Sequence, residues 1–255
     1  MAWDPDTYLT FGAERTRPAA ELLARVDLDK PARVADLGCG PGNSTALLAA
    51  RWPGARVDGI DNSREMLAEA GKSGVRAGWI EADLGDWTAD APYDAIFTNA
   101  ALQWVPDHAR LVPRLFGFVA EGGVFAMQVP RNFDEPCHTL LREVAKGKPW
   151  EHKFDGVRDW WHVLAPEDYF GLLEPLTARI DIWETRYVQP LSGEDAVYRW
   201  MSGTGLRPFA AALDGAERAE FLEAYRSAMA RAYPMRESGV TLYPFRRLFL
   251  VAKKQ

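Results

Sequence analysis

The chain has 255 residues, 47% hydrophobic and 26% charged, a size and balance that suit one α/β domain with a smaller appended piece, or two small domains. Its formal charge of −6, with no block of basic residues, disfavours DNA or RNA as a partner, and no apolar stretch nears the roughly 20 residues a membrane span needs. Cys39 and Cys137 make neither a disulfide framework nor zinc spacing, and the opening MAWDPDTYLTF has no signal-peptide character, so the expected compartment is the cytoplasm. Of the ten tryptophans, Trp3, Trp104, Trp150, Trp160, Trp161 and Trp200 fall near turns or polar runs and are candidates to line a pocket.

Residues 13–26 are expected as an amphipathic helix, with Ala20, Leu23, Ala24 and Val26 on its buried stripe. Strand and helix signals then alternate. RVADLG (33–38) reads as a strand, Asn43 to Arg51 as a helix, and ARVDGID (55–61) as a second strand. Asn62 followed by Glu65 marks a helix start, residues 76–83 a third strand, and YDAIFTNA (93–100) a fourth. Asp107 caps a helix whose Leu111, Val112, Leu115, Phe116 and Val119 recur at helical spacing; Gly122 and Gly123 are expected to end it before VFAMQV (124–129), the fifth strand.

This rhythm implies right-handed crossovers and a mainly parallel sheet covered by helices on both faces. After Pro130 it changes: RIDIWETRYV (179–188) and 240–254 are strands, and the rest is helix and loop. The expected organisation is an N-terminal flap and helix (1–30), a cofactor-binding core (31–130), lid or substrate insertions (131–175 and 190–238), and strands completing the core sheet (176–189 and 239–255). In the flap, Tyr8 and Phe11 either close over the cofactor or pack on the sheet edge.

Chemistry concentrates in Val34-Ala35-Asp36-Leu37-Gly38-Cys39-Gly40-Pro41-Gly42-Asn43. Glycines between a strand and a helix let the backbone turn sharply and approach a ligand at the helix N-terminus. A dinucleotide loop has G-x-G-x-x-G; here the spacing is G-x-G-x-G and Asn43 holds the last position. Asp61, ending the second strand 21 residues beyond Gly40, is equally a ribose acceptor or a helix cap. Asp83, ending the third, is either an acceptor from an adenine amino group or a turn-former before Gly85.

Together these landmarks resemble the class I S-adenosylmethionine-dependent methyltransferases, with their D-x-G-x-G-x-G loop (36–42), acidic end of strand two and adenine-side aspartate. The resemblance covers about residues 33–129 and implies a Rossmann-like α/β fold with a helical lid inserted after strands five and six. It also implies S-adenosyl-L-methionine as cofactor. Asp36, Gly38, Gly40 and Asn43 would then form the loop against the methionine part, with Asp61 on the ribose. Asn62 and Met66 would lie along the adenine, Asp83 and Leu84 on the base, and Asn99 and Ala100 beneath the sulfonium.

A closer likeness extends over nearly the whole chain. FGAERTRPAAELL (11–23), ADLGCGPGNSTALL (35–48), NAALQWVPDH (99–108), TGLRPF (204–209) and RRLFLVAKK (246–254) resemble the trans-aconitate methyltransferases, which esterify one carboxylate of a small tricarboxylic acid. A small polycarboxylate partner is therefore implied. Such an acceptor needs cations, and Arg15, Arg17, Arg207, Arg246 and Arg247 are the candidates, with Arg17, Arg207 and Arg247 preferred. Gln103 and Trp104 follow strand four and would hold the reacting carboxylate through neutral N–H donors. A carboxylate is already nucleophilic, so no general base is required. His108 is expected to be solvated at a helix start. His138, His152 and His162 have no paired ligand spacing, so no metal is expected. The remaining readings are a methyltransferase for a carrier-bound or lipid-like carboxylate, a nicotinamide dehydrogenase, and a non-catalytic binding module. Adenine-amine methylation is disfavoured, because Asn99-Ala100-Ala101-Leu102 replaces the Asn/Asp-Pro-Pro-aromatic clamp. A monomer is plausible.

Overall fold

A computed structural model of the chain describes residues 12–147, 149–157 and 162–255. Tyr8, Phe11, Trp3, Trp160 and Trp161 lie outside the described residues, as do the side chains of 12–15 and with them that of Arg15.

Seven strands form one sheet: β1 (Arg33–Leu37), β2 (Arg56–Asp61), β3 (Gly78–Glu81), β4 (Tyr93–Asn99), β5 (Val119–Pro130), β6 (Thr177–Ser192) and β7 (Val240–Lys254). Their order is β3-β2-β1-β4-β5-β7-β6; β1 to β5 pair in parallel and β7 runs antiparallel to β5. Among the described residues the helices are α1 (Gly12–Leu23), α2 (Asn43–Arg51), α3 (Arg64–Lys72), α4 (His108–Gly117), α5 (Pro136–Ala145), α6 (Pro166–Leu173), α7 (Ala196–Ser202), α8 (Arg207–Ala211) and α9 (Gly215–Ala232). β3 and β4 are joined by turns rather than by a helix. The parallel sheet inferred from strand–helix alternation is present, and its strand carboxyl ends carry the residues of interest.

The chain divides into two compact units. One holds residues 12–130, 162–185 and 247–255; the other takes the described parts of 131–157 and 186–246. The first has a core in which Ile96, Phe125, Met127, Leu248 and Leu250 of the sheet meet Leu111, Val112, Leu115 and Phe116 of α4. Removing each such side chain from water contributes about 1.5–3 kcal/mol. The second is aromatic: Trp150, Phe154, Phe209, Phe221, Tyr225 and Tyr243 pack with Trp200. Trp150 and Trp200 are thus core residues of this unit, whereas Trp104 is 41% exposed.

Three expectations are corrected. Through α1 and the turn that follows it the buried stripe is Ala19, Leu22, Leu23 and Val26, while Ala20 and Ala24 are exposed. Alanine is too weakly apolar to set a helix's phase, and 19, 22, 23, 26 satisfies the same periodicity. The cap of α3 is Ser63 rather than Asn62, its Oγ accepting from Met66 N at 3.3 Å. Gly122 and Gly123 do not stop α4, which ends at Gly117; they lie within β5, where the pairing shifts register between Tyr93 and Ala95. A Cβ on Gly123 would stand 2.7 Å from the carbonyl oxygen of Asp94, so a close backbone approach, not a helix end, requires glycine there.

The phase of α1 is testable by denaturant unfolding. Leu22→Ala should cost about 2–5 kcal/mol, whereas Ala20→Ser should change stability by no more than about 0.5 kcal/mol.

Candidate functional site

The loop after β1 owes its shape to residues at positive φ: +70° at Gly38, +54° at Gly40 and +91° at Gly42. At Gly38 the reason is contact as well, since a Cβ would meet that of Ala101 at 2.1 Å; at Gly40 the missing side chain leaves open space within 4 Å. Gly38 N and Cys39 N donate to the Ile60 carbonyl at 2.8 and 3.1 Å, tying the loop to β2. Asp61 joins it from above: Oδ2 accepts from Gly40 N and Oδ1 from Ser63 N, both at 2.9 Å. Asp61 is thus not the helix cap, which is Ser63, but it holds the cap's N–H, and each carboxylate oxygen keeps a lone pair that the expected ribose contact would use.

Asp36 is fully buried beneath the loop, its Oδ2 accepting from Ser44 Oγ at 2.7 Å and Thr45 Oγ1 at 2.6 Å. Burial pushes its carboxyl up to about 6, against the opposing pull of the Thr45 and Ser44 hydrogen bonds. Its contacts anchor α2 to β1. Asn43, first residue of α2, is exposed.

At the end of β3, where an adenine contact is expected, Asp83 is exposed; Oδ1 accepts from Gly85 N at 2.7 Å, and Oδ2 lies 3.5 Å from Asn62 Nδ2. The bond to Gly85 N makes Asp83 a turn-former, and its exposure leaves it open to the expected adenine contact. Met66 is half-buried, and the Leu84 side chain sits in the core. The loop is held by a residue that sequence reasoning passed over. Arg114 of α4 donates to the carbonyls of Leu84 (2.6 Å), Gly85 (2.9 Å) and Trp87.

The third part is the end of β4. Ala100 has φ +54°, a left-handed conformation that costs a non-glycine residue about 1–2 kcal/mol. A single turn of 3-10 helix, Leu102–Trp104, follows. Gln103 is 3% exposed, and its Nε2 donates to the Ala100 carbonyl at 2.7 Å, so one of its two N–H groups closes the turn on itself. Asn99 pairs in register with Gln128 of β5. Gln128 is fully buried; its Oε1 accepts from Arg247 Nη1 at 3.1 Å, while its Nε2 and the Asn99 Oδ1 have no partner among the described residues. Gln128 was legible as the one polar residue of VFAMQV.

Among the candidate cations, Arg247 is 4% exposed. Arg246 is held by the Asp134 carboxylate at 2.6 Å, which draws that acid's carboxyl below its ordinary range. Arg17 pairs with Glu21 along α1 at 2.7 Å, and Arg207 opens α8 in the second unit. His108 is corrected: it is 1% exposed and turned inward, because the residue after the Asp107 cap points at the core rather than at water.

An open space over Gly40, two acceptor positions on Asp61 and an unpartnered buried amide oxygen on Asn99 match an adenosyl amino acid, whose ribose and ammonium are hydrogen-bond donors. A family model described as a methyltransferase domain matches residues 34–123. The fold agrees with solved structures: the YcgJ protein from Bacillus subtilis (TM-score 0.60, 12% identity, 94% of this chain and 98% of that one), and a Haemonchus contortus phosphoethanolamine N-methyltransferase 2 in complex with S-adenosyl-L-methionine (0.54, 13%, 94% and 53%). Among curated relatives, the trans-aconitate 2-methyltransferase of Azoarcus sp. (strain BH72) is 48% identical over 250 residues, 98% of either chain. That of Methylobacterium radiotolerans is 48% identical over 255 residues, covering 99% and 98%. The molecule is therefore a class I, S-adenosylmethionine-dependent methyltransferase. More narrowly, it belongs to the trans-aconitate 2-methyltransferase family. Among the described residues no helix is long and apolar enough to cross a membrane.

Two outcomes follow. Asp61→Ala should weaken S-adenosylhomocysteine binding by about 10- to 100-fold in calorimetry, the worth of one or two charged hydrogen bonds. Asp36 makes a pH prediction. A carboxyl raised in the folded state favours folding at low pH, and that contribution is lost as pH rises toward and through about 6. Between pH 5 and 8, wild type should lose about 1–2 kcal/mol of unfolding free energy relative to Asp36→Asn.

Proposed function

We propose that this chain esterifies one carboxylate of trans-aconitate, with S-adenosylmethionine as methyl donor. The observation that carries the reading is a buried guanidinium in an acidic protein. Arg247, in the segment RRLFLVAKK, is 4% exposed and hydrogen-bonded to the neutral amide of Gln128 beside Asn99. Full-length likeness to relatives named for this reaction supports it.

When bound, S-adenosylmethionine supplies an electrophilic methyl group on a sulfonium. The chain's task is to hold an anion in line with it and keep water out. Arg247 serves a non-reacting carboxylate, and Arg17 and Arg207 are the further cations of this reading. Contact of that kind, equal in ground and transition states, governs KM. The reacting carboxylate and the sulfonium lose their charges together, so a strong cation at the reacting oxygen would favour the ground state. Neutral donors suit that position: the remaining N–H of Gln103, the indole N–H of Trp104 and the unpartnered Nε2 of Gln128. Asn99 and Ala100 line the methyl position, while Asp36, Gly38, Gly40, Asn43, Asp61, Asn62, Met66, Asp83 and Leu84 build the cofactor side. The insertions 131–175 and 190–238 are proposed as the substrate-side lid.

The test is a screen of di- and tricarboxylic acids with labelled cofactor, the ester identified by mass spectrometry. Trans-aconitate should be the best substrate; methylation confined to a carrier-bound or lipid-like acid would overturn the reading. Arg247→Met should raise KM for the acid about 10- to 100-fold with little change in kcat. Trp104→Phe, which deletes only the N–H, should lower kcat in single turnover and leave cofactor affinity intact.

A further inference from the structure

The turn that carries Gln103 is not held from its own side of the sheet alone. Leu102 is fully buried, and its carbonyl oxygen lies 2.8 Å from His108 Nε2. A carbonyl only accepts, so Nε2 carries the imidazole hydrogen and donates. The other nitrogen, Nδ1, is then an acceptor, and it faces the hydroxyl of Tyr169 on α6. That hydroxyl in turn accepts from the backbone N–H of Leu164 at 3.2 Å. Every group is satisfied in one direction: Leu164 N–H to Tyr169 oxygen, Tyr169 O–H to Nδ1, Nε2–H to the Leu102 carbonyl. The chain of bonds joins segments 61 residues apart within one compact unit, and both side chains are buried.

We propose that His108 and Tyr169 are positioning residues for methyl transfer, a neutral imidazole braced by the Tyr169 hydroxyl fixing the Leu102 carbonyl and hence the turn that presents Gln103 and Trp104. Neither side chain need touch substrate. The bracing matters because the turn begins at a strained Ala100 and closes on itself through a Gln103 N–H, so without support behind Leu102 it has a relaxed alternative. The inference rests on the reading of Gln103 and Trp104 as the donors at the transfer position.

The bracing needs the uncharged imidazole, because a proton on Nδ1 meets the Tyr169 O–H donor to donor and that bond is lost. Burial lowers the His108 pKa, against the raising effect of the Leu102 carbonyl; His162, ahead of α6, pushes it further down, and Asp107, its own helix cap, opposes this more weakly. A lowered pKa keeps the bracing intact across the neutral range and loses it as pH falls through that value. Removing the Tyr169 hydroxyl takes away a donor that favours the neutral form, so protonation moves to higher pH.

The experiment compares Tyr169→Phe with wild type in single-turnover methyl transfer, both substrates saturating, across pH. Tyr169→Phe should slow the step about tenfold and move the acidic limb of its pH profile up by about one unit, the equivalent of one hydrogen bond. S-adenosylhomocysteine affinity and KM for the acid should stay near wild type. Because the acid's own carboxyls titrate identically in both proteins, the shift belongs to the enzyme. His108→Gln, which keeps an N–H donor for Leu102, should retain more rate than His108→Phe. Wild-type rate and an unmoved limb in Tyr169→Phe would overturn the proposal. If Tyr169→Phe fails to fold, the imidazole 15N shifts of wild-type His108 decide instead: the Nε2–H form supports the bracing and the Nδ1–H form refutes it. Gln103→Ala and Trp104→Phe separate the two readings. If both are silent while Tyr169→Phe is slow and shifted, the donor assignment fails and the bracing stands. If either is slow while Tyr169→Phe is silent, the reverse holds.

Discussion

A carboxylate sealed from water lies under the glycine loop, and the cofactor half is arranged around it. Asp36 has no exposure, yet it receives hydroxyls from two consecutive residues, Ser44 and Thr45, in the first turn of α2. The helix start is thereby pinned to the strand end. Only glycines can take the sharp path between them, and the loop stands clear where a ligand must enter. Desolvating an acid is costly, and the hydroxyls offset only part of that cost. The protein accepts a destabilised group where it needs a fixed backbone.

From this anchor the site extends by backbone contacts more than by side-chain pairs. Asp61 binds Gly40 N and Ser63 N, Asp83 binds Gly85 N, and Gln103 binds the Ala100 carbonyl. Acids that a ligand would use thus already shape the loops that present them. For Asp61 the role of loop former does not exclude that of ligand acceptor, since its two oxygens have capacity for both.

How much was readable in the sequence follows from the range of the interactions involved. The positive-φ glycines, the Asp83 turn and the Asp107 cap act within a few residues of themselves, and Asp61 was marked by its place at a strand end, although its bond to Gly40 N spans 21 residues. The inward turn of His108 was not readable, because it depends on Tyr169, 61 residues away, and on the Leu102 carbonyl. Arg114 gave no signal either: its three acceptors are backbone carbonyls, which leave no trace in residue type. Helix α1 was placed but rotated by about one residue, since its alanines fit more than one phase. Gln128 did carry a signal, a lone amide at the carboxyl end of an apolar strand. Its partner Arg247 could be named as a costly mid-strand charge, but not matched to it.

Helix α4 runs from His108 to Gly117 and carries His108 and Arg114 six residues apart, about 9 Å along its axis. One of these grips the turn after β4, and the other grips the loop after β3. A single rod, buried along Leu111, Val112, Leu115 and Phe116, therefore gauges the spacing between the turn after β4 and the loop after β3. Both loops thus take their position from the same helix, and a shift of that helix would carry the two together.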